Sequence, residues 1–367
     1  MIRVLHVVTY MGRGGLETML MNYYRNIDHT KVQFDFLVHR DFEADYDKEI
    51  LNLGGKIYHI SRLNPFGFKY HKELNDFFKN HKEYKIVHVH QDCMSSLALK
   101  AAKKNRVPIR IAHSHNANQA KDIKYLIKKF YMKKTPKYAT SLFACGEDAG
   151  DWMFDGHKYI ILNNAIDTKK FAFDKEKRSK IKKKFNLDND ELIIGNIARF
   201  HRQKNHQFLL DVFKEILKIK NDVKLLLVGG GKDFNSIVEK AKLLNINKNI
   251  IFTGVRDNVN ELMQAMDIFV FPSIYEGLPV TLIEAQANGL PIVKSNNVPD
   301  QCIITDNVYS MSLDQSPHEW AKKILDIASN FKRKDTSQQI IDNGYDIRTN
   351  AKWLEKFYLD EVNKIGK

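Results

Sequence analysis

The sequence predicts an α/β protein made of two doubly wound, Rossmann-like domains with parallel sheets. Three observations carry this reading. Short β-branched runs recur along the chain, helical patterns of apolar residues lie between them, and one polar, lysine-rich stretch interrupts the alternation near the middle. Buried parallel strands read as near-continuous apolar runs and need a helix to cross back, so this alternation means a parallel sheet covered on both faces. At roughly 100–200 residues per domain, a chain of 367 residues makes two such units.

The elements follow in order. Strand candidates in the first half are Val4–Val8, Phe34–Val38, Lys56–Ile60, Ile86–Val89, Ile109–Ala112, Ser141–Ala144 and Ile160–Leu162. Leu16, Leu20, Tyr23 and Tyr24 share one helical face, as do Leu97, Ala98, Ala101 and Ala102. Thr168–Asp190 carries almost no strand signal, and Lys175–Lys184 within it reads as a solvated helix between domains. The alternation resumes at Ile193–Ile197, Lys224–Val228, Ile250–Thr253, Ile268–Phe271, Pro291–Lys294 and Val308–Ser310. Helices are expected at Gln207–Lys218, Phe234–Leu244 and Val259–Ala265. Ala351, Leu354, Phe357, Tyr358 and Val362 make Ile347–Val362 one amphipathic helix. The expected divisions are therefore residues 1–166, residues 167–346 and a terminal helix at 347–367.

Composition narrows the class. With 43% hydrophobic and 28% charged residues, the chain can build full cores and is not disordered. Lys and Arg number 58 against 44 Asp and Glu, a net charge of +14. That excess calls for an anionic partner, whether nucleic acid, membrane surface or phosphorylated substrate. Cys93, Cys145 and Cys302 form no CxxC pair, so neither a disulfide framework nor a zinc site is expected, which fits a reducing cytoplasm. The apolar run after Met1 is too short for a secretory segment, and no run approaches the roughly 20 residues of a membrane span.

In tandem open sheets, ligands bind in a cleft at the carboxyl ends of the strands, so the loops there carry the candidates. Gly12-Arg13-Gly14-Gly15-Leu16-Glu17 follows the first strand and opens a helix, where backbone amides and the helix dipole can receive a phosphate. Glu17 stands where a dinucleotide fingerprint needs glycine, which disfavours that ligand. Gly229-Gly230-Gly231-Lys232 lacks the Ser or Thr of a P-loop and reads as a strand-to-helix turn. Arg199 and Lys204 flank the loop after Ile193–Ile197; two fixed cations there can clamp a diphosphate. The densest stretch is Phe271–Ala285. Glu276 precedes a helix that Pro279 is placed to start and Asn288-Gly289 to stop, and Glu284 lies within it. His113 and His115 follow the strand Ile109–Ala112 on one side of the extended chain, both facing the expected cleft; alternation does not choose between them. Asp45-Tyr46-Asp47 and Asp188-Asn189-Asp190 have metal-binding spacing but no supporting context, and read as solvated loop acids.

Glu276 and Glu284, joined through Gly277-Leu278-Pro279-Val280, resemble the paired-glutamate signature of the family 4 retaining glycosyltransferases, which have the GT-B fold. The Gly14-Gly15 loop, the Arg199/Lys204 pair and Asn163 also fall where that family has counterparts, and the likeness covers essentially the whole chain. The wording of Ala112–Asn116 and Asn196–His206 is similar to bacterial capsule and exopolysaccharide enzymes. The chain has Asn163-Asn164-Ala165 where the family commonly has Asn-Gly, which weakens Asn163 as a site residue.

The resemblance implies transfer of a sugar from a nucleotide diphosphate donor, UDP-linked by expectation, with retention of configuration and the terminal helix crossing back onto the first domain. It implies that Arg199 and Lys204, with amides at Gly14-Gly15 and at Leu278–Val280, stabilise the departing diphosphate without a metal or other cofactor. Glu284 would bind the ribose hydroxyls, Glu276 a hydroxyl of the donor sugar, and Gly254-Val255 the base. His113 or His115 would hydrogen-bond the donor sugar or position the acceptor, expected to be a lipid-linked saccharide.

The first 165 residues carry net +9 and the rest +5. Lys121, Lys124, Lys128, Lys129, Lys133, Lys134 and Lys137 interleave with Tyr125, Leu126, Ile127, Phe130, Tyr131 and Met132. That pattern predicts a cationic amphipathic helix lying on anionic lipid, hence a cytoplasmic enzyme attached peripherally to the inner face of the cell membrane. A basic nucleic-acid-binding protein is the rival from another class. It would need a reading module, and the sequence has none. An epimerase or phosphorylase on the same fold is the enzymatic alternative.

Overall fold

The computed structural model of the chain describes residues 1–116 and 125–366. They divide into two compact units: Met1–Ala165 with Asp346–Lys367, and Ile166–Tyr345. Each is a parallel sheet with helices on its faces.

In the first unit the strands are β1 (Ile2–Val8), β2 (Val32–Val38), β3 (Ile57–His59), β4 (Ile86–Val89), β5 (Ile109–Ser114), β6 (Ser141–Ala144) and β7 (Ile160–Ile161). Their order across the sheet is β3-β2-β1-β4-β5-β6-β7. One face carries Val4, Val8, Phe34, Phe36, Ile86 and Ile111, buried against the helices Gly15–Asn26 and Ile347–Ile365. The terminal helix contributes Ile347, Ala351, Leu354 and Tyr358, all buried at the helical spacing read from the sequence. Burying each of its larger side chains contributes about 1.5–3 kcal/mol, which explains why this segment joins the first unit although the second lies between them in sequence. The other face packs Leu5, Val7, Val87 and Val89 against the helices Phe68–Asn80 and Ser95–Lys104.

The second unit has β8 (Leu192–Ile197), β9 (Val223–Val228), β10 (Ile250–Phe252), β11 (Ile268–Phe271), β12 (Ile292–Ser295) and β13 (Val308–Met311), in the order β10-β9-β8-β11-β12-β13. All registered pairs in both sheets are parallel.

Several expectations change. β5 runs on to Ser114, so His113 lies inside the strand and not on the loop beyond it. Pro279 is the cap residue, with the helix at Val280–Ala287. Lys175–Lys184 is a helix with an exposed outer side, as expected, but its inner side is not solvated. It packs on Val259–Ala265, buries Ile181, and tucks Lys182 inside, where its ammonium donates to the carbonyls of Asp188, Asn189 and Glu191 at 2.9–3.0 Å. A lysine that snorkels inward onto free carbonyls looks solvated in any hydropathy pattern. Asp47 is likewise buried, its carboxylate accepting from the Ala44 amide at 2.9 Å, and Asp45 accepts from the Arg13 amide at 3.2 Å, bracing the glycine loop. The lysine-rich segment forms two short helices, Tyr125–Met132 and Thr135–Tyr138, separated at Lys133-Lys134; Lys121 and Lys124 lie outside the described residues. Among the described residues no helix is long and apolar enough to cross a membrane.

Candidate active site

In the second unit the loops at the strand ends are stitched together by backbone. The Phe200 amide donates to the Gly230 carbonyl at 2.8 Å, and the Gly229 amide to the Gly254 carbonyl at 2.9 Å. Gly229 and Gly231 have φ of 140° and 150°, and a Cβ on either would strike the carbonyl oxygen of Ala198 or Phe200. The three glycines are thus a platform under the basic loop, a role their failed P-loop pattern does not reveal.

On that platform the single turn Arg202–Lys204 ends at Asn205, held left-handed at φ 57°, and the helix His206–Ile219 begins. Buried His206 stacks on Phe200 with centroids 4.2 Å apart, pinning the turn from below. The Lys204 ammonium reaches back over the Phe271 ring, 5.1 Å from its centroid, and lies 2.5 Å from Glu276 Oε1. Gln203 completes the arrangement. Its carbonyl accepts from the Ile274 amide at 2.8 Å and its side-chain amide donates to the Tyr275 carbonyl at 2.9 Å. Glu276 is 7% exposed at its side chain and Lys204 20%, so the pair is shielded yet open on one side.

Helix Val280–Ala287 starts beside this pair with no side-chain cap at Pro279, which leaves its positive end available to an anion. Glu284, the fifth residue of that helix, is half-buried; burial lifts its carboxyl to about 7, against the opposing pull of Lys170. Arg199 is exposed at the end of β8, and Gly254, at φ 70°, precedes Val255, which is 61% exposed. Lys204, Gln203 and Glu276 are therefore brought into contact, while Arg199 and Gly254-Val255 stand on the same strand-end edge and Glu284 lies within the helix that follows β11.

In the first unit Gly14 caps the helix Gly15–Asn26 and nothing crowds Gly15. The Glu17 carboxylate folds against Gly14. The Asn163 carbonyl accepts from the Tyr23 hydroxyl at 2.7 Å and from the Ala165 amide at 2.8 Å, so its backbone serves the fold. His113, expected to face a cleft, is fully buried with neither ring nitrogen hydrogen-bonded, its ring 4.1 Å from that of His115. A side chain sealed inside a strand does not touch a substrate. His115 is the one near the surface: its Nε2 lies 2.9 Å from His90 Nδ1, and its backbone amide donates to Asp92 Oδ1 at 3.0 Å. Burial holds the His115 imidazole near 3, hence neutral at physiological pH. Gln203, His90 and Asp92 are the neighbours that sequence reading missed; a signal existed in the repeated spacing of His88-Val-His90 and His113-Ser-His115.

Two tandem Rossmann-like sheets, with a lysine–glutamate pair beside an uncapped helix start, form an arrangement suited to an enzyme that handles an anionic ligand. Residues 13–170 match the model described as "Glycosyltransferase Family 4", and residues 177–346 that of "Glycosyl transferases group 1". The chain belongs to the family 4 glycosyltransferases and has their GT-B architecture. It is 36% identical to "Putative glycosyltransferase EpsF" of Bacillus subtilis, over 97% of this chain and 96% of that one. It is 27% identical to "Capsular polysaccharide biosynthesis glycosyltransferase CapH" of Staphylococcus aureus, covering 99% and 100%. It is 25% identical to an Escherichia coli "UDP-Gal:alpha-D-GlcNAc-diphosphoundecaprenol alpha-1,3-galactosyltransferase", covering 77% and 76%. Among solved structures, Anabaena Alr3699/HepE in complex with UDP superposes with a TM-score of 0.82 at 14% identity, covering 98% of this chain and all of that one, a likeness of fold.

Proposed function

We propose that this glycosyltransferase moves a sugar from a UDP-linked donor to a lipid-linked saccharide, with retention of configuration, in the assembly of a cell-surface polysaccharide. The observation that carries the reading is the Lys204–Glu276 pair, 2.5 Å apart, at the strand ends of the second unit beside the uncapped helix at Val280. Departure of a nucleoside diphosphate puts negative charge on the leaving oxygens, and fixed donors aimed there lower the barrier. Lys204 and Arg199 supply two cations, and the amides of Gly277, Leu278 and Val280 supply neutral donors, so no metal is needed on the diphosphate. Glu276 holds Lys204 in place and accepts from a sugar hydroxyl; Glu284 accepts from the ribose diol; Gly254-Val255 holds the base through its backbone. In the first unit Gly14 and Gly15 offer amides to an anion, while His115, with Nε2 engaged by His90 and Nδ1 buried, braces the end of β5. Asn163 is left out of the donor set.

The polysaccharide and the lipid diphosphate acceptor are supported by the names of the Staphylococcus aureus and Escherichia coli relatives and by the basic segment near residue 130. That segment also supports peripheral attachment to the inner face of the cell membrane.

A panel of nucleotide sugars, screened by thermal stabilisation and then with lipid-linked acceptors, tests the proposal. One UDP-sugar should raise Tm and yield an α-linked product in wild type. Lys204→Ala should lose transfer at least about a hundredfold while its circular dichroism stays native, as expected for removal of one preorganised charge. Wild-type activity in Lys204→Ala, or a product formed without acceptor or only with inorganic phosphate, refutes it.

A further inference from the structure

His6, His88, His90, His113 and His115 form one stack in the first unit, on the sheet face that the terminal helix covers. His6 on β1 and His88 on β4 are register partners, and His90 follows two residues on, so the three side chains share that face. Ring centroids are 5.4 Å apart for His6 and His88, 4.3 Å for His88 and His90, and 5.3 Å for His6 and His90. None of the three is more than 3% exposed. One nitrogen of each lies within 4.8 Å of the other two. His6 Nδ1 and His90 Nε2 are 3.0 Å apart, a separation that two ligands spanning one metal at about 2.0–2.1 Å each readily cover. His88 Nε2, the nitrogen left over by the Tyr358 contact, is buried and has no hydrogen-bond partner among the described residues, a state that native interiors avoid.

We propose that His6, His88 and His90 hold one divalent transition-metal ion of the zinc class, sealed in the core of the first unit. An all-imidazole donor set suits zinc, with copper and nickel as competitors. The outer partners that orient metal-bound imidazoles are present. His88 Nδ1 lies 2.7 Å from the Tyr358 hydroxyl, and His90 Nδ1 2.9 Å from His115 Nε2. Phe34 and Phe36 wall the site beside His6, at 4.1 and 5.6 Å between centroids. His113, with both ring nitrogens unpartnered and its centroid 5.2 Å from those of His88 and His90, borders the site, its own ligand atom grouping with those of His90 and His115. A metal here would fix the terminal helix through Tyr358 and the ring of His115 through His90. The site has no solvent face, so it loads as the chain folds and not by exchange afterwards.

The full-length chain is unfolded in guanidinium with chelator, refolded with either Zn²⁺ or chelator, passed through gel filtration and assayed for metal. One zinc per chain should remain, resist dialysis of the folded protein against EDTA, and raise Tm by about 5 °C, since an ion bound only to the native state stabilises it. Refolding with Co²⁺ should give the visible absorption of a tetrahedral nitrogen site. His6→Gln and His88→Gln should lose the metal, whereas His318→Gln, at an exposed position, should keep it. Wild type refolded with Zn²⁺ that holds no more metal than the chelator control overturns the proposal, as does equal loading of His6→Gln and His88→Gln. Should those variants fail to refold, a wild-type Co²⁺ form without the visible bands overturns it. These readouts do not involve sugar transfer and stand apart from the proposal for the active site.

Discussion

Glu284 shows how one residue's surroundings set its chemistry. Its carboxyl is lifted to about 7 by burial, with Lys170 pulling the other way. A diol is held best by a carboxylate that only accepts, so protonation removes part of the ribose contact. The donor kcat/KM, which reports the free enzyme, should therefore rise about tenfold per pH unit below 7 and level off above it. Glu284→Gln should flatten that profile and lower the plateau by about ten- to a hundredfold, the worth of a charge-assisted bond. Stability runs in the opposite sense. The folded pKa lies above the ordinary value, so ionisation weakens the fold from about pH 4.5 upward, and Glu284→Gln should raise Tm at pH 8 but not at pH 4. A wild-type profile that is flat from pH 5.5 to 8 contradicts the assignment. Lys204 and Glu276 differ, because they act as a unit: removing both should cost no more activity than the worse single change. Additive losses in that cycle would mean the two carboxylate and ammonium groups work separately.

Among the elements, the helix Tyr125–Met132 is the one whose apolar side chains are least accounted for by packing. Leu126 is 75% exposed and Phe130 54%, one turn apart, and the Lys134 ammonium lies 3.6 Å over the Phe130 ring. Tyr131 and Met132 face inward, partly buried in the core behind. A bare apolar pair among lysines inserts into an anionic bilayer and is held there by charge. The chain should float with vesicles rich in anionic lipid at low salt, and Leu126→Glu with Phe130→Glu should abolish flotation without changing transfer to a soluble acceptor. Flotation by that double variant, or none by wild type, removes the membrane reading. The same element shows where legibility ended. Ile86–Val89, Ser141–Ala144 and Ile268–Phe271 were readable to the residue because each is a short, mostly apolar run between turn-forming or polar neighbours. β5 was cut short at Ala112 because His113 and Ser114 read as polar, yet a neutral imidazole packs inside a strand. Arg178 and Lys182 read as solvent-facing, yet they close off carbonyls of their own unit. Arg199, Lys204, Glu276 and Glu284 were legible as strand-end charges. The contact between Lys204 and Glu276 was not, since it joins positions 72 apart and depends on a left-handed Asn205.

Over the whole molecule, the two units differ in how they meet acid. The first holds His6, His39, His88, His90, His113 and His115, all depressed by burial, whereas His206 is the counterpart in the second among the described residues. In the metal-free protein each is neutral in the fold and takes a proton on unfolding once the pH falls below about 6.5. Their folded pKa values lie below the unfolded one, so the stability they confer is present above pH 6.5 and lost beneath it. Each such group removes about 1.4 kcal/mol per pH unit, and several together exhaust a domain stability of about 5–15 kcal/mol within one or two units. In the second unit Glu284 acts the other way over this range, because its proton uptake below 7 favours the fold. The first unit, terminal helix included, should therefore unfold first on acidification. Hydrogen exchange followed by mass spectrometry should show peptides from residues 1–116 and 346–366 losing protection near pH 5, with residues 166–345 still protected. In protein refolded with chelator, a His88→Phe variant, which removes one buried imidazole and its unpartnered nitrogen, should move that first transition to lower pH. If both units lose protection together, or the second goes first, the buried histidines do not govern the acid limit of the molecule.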